Sequence, residues 1–129
     1  MSAMSDYLEN EILDHILSTG AYSMPSQTYI GLSTGSFADT GSGTSELSGN
    51  SYARVAINFD AASGGTTDNS AAVEFPTATG SWGAVSHFGL FDASSSGNLL
   101  IHGAFSASKT ITTGDILRIA AGELDVTAA

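Results

Sequence analysis

The chain has 129 residues, enough for one hydrophobic core and too few for two, and it contains no cysteine, which excludes disulfides, a thiolate nucleophile and Cys-based zinc sites. Three basic residues, Arg54, Lys109 and Arg118, face thirteen acidic ones for a net charge of −10. That balance argues against nucleic acid as a partner, because phosphate binding draws on clustered Lys and Arg, and it disfavours an anionic membrane surface for the same reason.

Residues 1–6 lack the basic and apolar stretches of a signal peptide, so synthesis in the cytoplasm without secretion by that route is expected. The first predicted element is a helix over residues 5–19. Ser5 is a good N-cap, Asp6 and Glu9 fall in the first turn where the helix dipole favours negative charge, and Gly20 is the expected C′ residue. Leu8, Ile12 and Ile16 repeat every four residues with Leu13 and Leu17 beside them, while Asp6, Asn10, Glu11 and Asp14 take the remaining surface. A helix of about 14 residues is marginal alone in water, so the stripe needs a cover, and the chain's own sheet is the expected one. On that reading Ile12→Asp or Ile16→Asp forces a charge into an apolar contact and destabilises strongly.

After Gly20 the apolar period changes to two. Thr28, Ile30 and Leu32 alternate with Tyr29; a Gly/Ser/Thr-rich stretch over residues 33–51 is expected to be a variable surface loop. Val55, Ile57 and Phe59 alternate with Arg54, Ala56 and Asn58, and "AASGGTTDNS" supplies turn residues. A short strand follows, with Val73 and Phe75 on one side, stopped by Pro76. "VSHFGLFDA" and "GNLLIHGAF" read as a hairpin of central strands joined by "SSSG"; further strands are expected at Lys109 to Ile111, "DILRIA" and "GELDVT". Seven or eight strands with turns every 8–15 residues, and no recurring helix, predict a mainly β, antiparallel sandwich or jelly-roll-like domain over residues 27–127.

The residues that could carry chemistry have structural readings. His15, His87 and His102 lack the spacing of a ligand pair, and His87 and His102 could face each other across the hairpin. Asp39, Asp60, Asp68, Asp92 and Asp115 all neighbour turn residues, where Asx-type hydrogen bonding is their ordinary role. No G-x-S-x-G elbow and no phosphate loop is present. Catalytic, cofactor and metal residues are therefore expected to be none. Phe88 and Phe91 read as core. Trp82, in the Gly-rich "TGSWGA", could be core or interface, and it joins Leu8, Ile12 and Ile16 as the candidate assembly surface.

The order "YLENEILDHIL", "TYIGLST", "ELSGNSYAR", "HFGLFDASSSGNLLIHGAF" and "GDILRIAAGELDVT" resembles the small structural proteins of tailed bacteriophages, of the head decoration (cement) or tail-fibre-like kind. The resemblance implies an oligomeric virion component rather than an enzyme. The expectation that follows first is a capsid decoration protein, a homotrimer bound to the major capsid protein on the head surface. The alternative is a tail-fibre or tail-tip protein binding a host receptor, with residues 33–51 as its tip. A carbohydrate-active or lectin-like sandwich protein is a third reading, because fold alone does not separate them.

Overall fold

The computed structural model describes residues 2–41 and 45–128. In chain order its elements are β1 (Ser2–Met4), α1 (Asp6–Ile16), β2 (Thr28–Ser33), β3 (Val55–Ile57), β4 (Thr66–Asp68), β5 (Val73–Glu74), β6 (Gly83–Phe91), β7 (Leu99–Ile111), β8 (Arg118–Ile119) and β9 (Asp125–Thr127). The fold is mainly β and antiparallel with one N-terminal helix, as the sequence predicts.

Five strands form one sheet in the order β1-β7-β6-β2-β3, and two ribbons, β4-β9 and β5-β8, form the facing layer. Alternation explains the packing. Ile30 and Leu32 on β2 stand opposite Leu90 and Phe88 on β6, and this face meets Val73, Ile119 and Val126 from the ribbons in one buried cluster. The layers are also tied at an edge, where the Thr127 N–H donates to Ser2 Oγ at 3.1 Å.

α1 is capped as expected. Ser5 has extended backbone, and its Oγ accepts the Leu8 N–H at 3.2 Å while donating to the Leu99 carbonyl of β7. The Ser5 N–H reaches Leu100 O at 2.8 Å and the Asp6 N–H reaches Asp39 O at 2.9 Å, so the helix start is pinned to the sheet and to the chain after β2. Ser5→Ala should lower stability by about 1–2 kcal/mol, because a buried carbonyl and an N–H lose one partner together; urea midpoints would show it. The other end differs from expectation. Ser18, not Gly20, takes the left-handed conformation (φ 65°), and the Thr19 N–H closes back on Asp14 O at 2.8 Å in a Schellman arrangement.

β1 and β4 were not expected, the first lying in a stretch without pattern and the second inside "AASGGTTDNS", which reads as turn. Their residues, Ser-Ala-Met and Thr-Thr-Asp, do not alternate apolar with polar, so no strand period registers. In the β6–β7 turn, Asn98 donates its N–H to Asp92 Oδ1 at 2.7 Å. Gly97 sits there at φ 70°, where an added Cβ would meet Asp92 Oδ1 at 2.5 Å.

On the outer face of the sheet, Gly31 and Gly89 are paired across β2 and β6. A Cβ at Gly31 would lie 2.7 Å from Glu46 Oε2 and 3.0 Å from Phe91 Cε2; one at Gly89 would lie 3.0 Å from both Phe91 Cε2 and Leu99 Cδ1. The two glycines make a shallow bed in which the Phe91 ring lies. Phe37, from the chain after β2, meets that ring edge-on with centroids 5.8 Å apart.

Candidate assembly surface and polar clusters

The four residues expected to form an assembly surface divide into two pairs. Leu8 is buried at the base of α1, and Trp82 is only 5 % exposed, so neither is available to a partner. The Trp82 indole N–H donates to Asn50 O at 3.0 Å, and its ring meets Tyr52 edge-on at 5.6 Å. Of the two readings its Gly-rich stretch allows, core and interface, the burial and the bond to Asn50 fit the core.

Ile12 and Ile16 are exposed, which corrects the expectation that the sheet covers the whole stripe. Only Leu8 packs inward; Ile12 is 37 % exposed, Leu13 56 %, Ile16 69 % and Leu17 66 %. The reason is geometric: α1 is anchored through Ser5 and Asp6 at its start, and Leu8 is its one buried residue. Ile16→Asp should therefore change stability by no more than about 0.5 kcal/mol rather than unfold the chain, measured as a urea midpoint. The segment after the helix is held to it where the Tyr22 N–H donates to His15 Nδ1 at 3.2 Å. Met24, two residues on, is 85 % exposed.

Residues 33–51 are not a free tip in their described parts. Ser33 Oγ donates to Ser45 O at 2.9 Å, the Leu47 N–H reaches Leu32 O at 2.9 Å, and Phe37 is buried. The strongest tie is Glu46. Arg54 Nε and Nη2 grip its two carboxylate oxygens at 2.8 and 2.7 Å, and Arg54 Nη1 donates to Ala93 O and Ser96 O of the hairpin turn at 3.0 and 2.8 Å. The guanidinium carbon lies 3.5 Å above the Phe91 ring centre. Tyr52 adds a hydroxyl that donates to Glu46 Oε2 at 2.7 Å and accepts the Leu32 N–H at 2.9 Å. Burial first, and then the bond to Glu46, push the Tyr52 phenol well above the ordinary tyrosine value. Sequence reading placed Arg54 on a polar strand face and did not find this cluster, because its members meet only in the fold.

The histidines have separate partners. His102 Nε2 lies 2.6 Å from Asp39 Oδ1, and His87 Nδ1 lies 2.7 Å from Ser86 Oγ. Their strands are neighbours, but His102 stands opposite Gly89 and His87 opposite Ala104. Asp115 closes the turn before β8. Its carboxylate accepts the Thr112 N–H at 2.8 Å and the Thr112 hydroxyl at 3.0 Å, and these bonds, the backbone one foremost, hold the carboxyl below its usual value. A lowered folded value means that the contribution is complete above the unfolded carboxyl range and is lost as pH falls through the folded one. The stability gap between the native chain and Asp115→Asn should accordingly narrow between pH 6 and pH 2 in urea titrations.

A groove of about 530 Å³ opens between β7 and the β8 and β9 side of the facing layer. Phe88, Phe105 and Leu117 form its apolar part, and Lys109, Arg118 and Asp125 are among its charged residues. β7 bulges here: residues 105–108 face only Ser86 on β6, since Ala104 pairs with His87 and Lys109 with Val85. Such a bulge, with Lys109 beside it, blunts the strand edge against pairing with another chain. Among the described residues, no group of three or more His, Asp or Glu side chains is placed to hold a metal ion.

No curated protein matches the chain. A protein-family model described as podophage GP4 fiber I protein gp80 matches residues 3–127. That span runs from β1 through β9 and includes the capped helix, the Arg54 cluster and the bulged β7. With nearly its whole length matched, the chain belongs to the podophage GP4 fiber I protein gp80 family and is a structural protein of the tailed-phage virion.

Proposed function

We propose that this chain is a non-enzymatic tail-fibre component, built to be held in an assembly rather than to turn over a substrate. The observation that carries the proposal is the family match over residues 3–127, whose description names a fibre. The polar side chains support it by their present employment: Glu46 is gripped by Arg54, His102 pairs with Asp39, and Asp92 and Asp115 cap turns. The capsid decoration reading, a homotrimer on the major capsid protein, has only the general resemblance behind it. Host-receptor binding through residues 33–51 would use a surface fixed to the body by Glu46 and Phe37 rather than a loose tip.

Cryo-electron microscopy of the intact particle, with this chain carrying a bulky C-terminal tag, tests the proposal. Extra density on the tail fibres is expected. Density confined to the head surface would overturn the fibre reading in favour of decoration.

A further inference from the structure

Five of the six exposed large apolar side chains among the described residues, Ile12, Leu13, Ile16, Leu17 and Met24, lie within thirteen residues of one another in the chain. Scattered exposed apolar residues are ordinary, but Ile12, Leu13 and Ile16 stand on the last turns of one helix and Leu17 is its C-cap. The helix is well capped and anchored, so its exposed end is not a frayed terminus. A ridge of this kind is the shape that enters an apolar groove in another protein.

The charges around the ridge say what kind of groove. Glu9 is one turn below Ile12 and Leu13, and Asp14 is one turn below Leu17. Asp6 and Glu11 are on the same helix, and the sequence has no Lys or Arg before Arg54, which is itself occupied by Glu46. The remaining cations, Lys109 and Arg118, line the apolar groove beside β7, but Glu123 and Asp125 line it too and Arg118 lies 3.4 Å from Glu74, so that groove offers an acidic helix no net positive charge. A second copy of this chain would bring acidic residues against acidic residues with no counter-charge from its own first 53 positions, on top of a net charge of −10 for each subunit. A partner with Lys or Arg beside an apolar groove meets both features of the surface.

We infer that the distal half of α1, with Met24, docks into an apolar groove bordered by Lys or Arg on a different protein, and so attaches this chain within the particle. The inference rests on the reading of the chain as a virion component and adds to it the attaching surface and the chemistry of its partner.

The test uses the full chain and two 18-residue amphipathic helical peptides, one of Leu and Lys and one of Leu and Glu, with binding followed by isothermal titration calorimetry. The Leu/Lys peptide should bind, and its affinity should fall about tenfold between 50 and 300 mM NaCl as the charges are screened. Ile16→Asp should weaken it at least tenfold while leaving the urea midpoint unchanged, and Glu9→Lys should weaken it and remove most of the salt dependence. The Leu/Glu peptide should not bind. Equal binding of both peptides, or binding of neither, overturns the inference. So does concentration-dependent self-association by light scattering that Ile16→Asp abolishes, which would make a second copy the occupant. Particle imaging decides fibre against head separately, and peptide selectivity is unaffected by that outcome.

Discussion

Arg54→Ala should lower the unfolding free energy by about 3 kcal/mol, or the melting temperature by about 12 °C for a chain of this size. The guanidinium side chain is 9 % exposed and the Glu46 carboxylate 20 %, so removing the cation strands a carboxylate that water reaches poorly. The loss extends beyond the pair. Two hairpin carbonyls lose their donor, Phe91 loses its covering plane, and Glu46 loses its link to the β6–β7 turn. A paired replacement, Arg54→Met with Glu46→Leu, should recover most of the loss, because no unpaired charge remains. Denaturant unfolding of the single and double variants gives the comparison, and a single variant within about 0.5 kcal/mol of the native chain would show that the cluster is a surface ornament.

Trp82→Ala is the second large effect, at about 4 kcal/mol. The indole packs in the core against Tyr52, and its removal leaves a cavity and takes one of two donors from the Asn50 carbonyl, the Thr79 N–H remaining at 3.1 Å. Sequence reasoning held Trp82 open as an interface residue, and the two roles separate cleanly. A core tryptophan lowers stability when truncated and leaves peptide or partner affinity of the folded fraction unchanged; an interface tryptophan does the reverse.

What the sequence made legible was whatever repeats. The i, i+4 stripe of Leu8, Ile12 and Ile16 and the alternation of Val55 with Ile57 report backbone geometry directly, and "HFGLF" with "LLIHG" reported the central hairpin. An amphipathic stripe states that a helix has an apolar side but not which part of it the fold covers, and for α1 the cover ends after Leu8. β1 and β4 were missed because their residues, Ser-Ala-Met and Thr-Thr-Asp, carry no apolar and polar alternation, unlike the equally short β3. The Arg54 cluster was missed because Glu46, Tyr52, Arg54 and Phe91 are brought together by the return of the chain, and a long Ser/Gly/Thr stretch gives no sign that one carboxylate within it is gripped.

The glycine bed on the outer face has a consequence for how such a sequence can change. Positions 31, 89 and 91 occupy one volume, since a methyl group at either glycine would press on the Phe91 ring that carries the Arg54 guanidinium. They are therefore not free to drift singly. A descendant that gains a side chain at 31 or 89 should have exchanged Phe91 for something smaller, and with the ring gone the arginine at 54 loses the platform that holds it over the sheet.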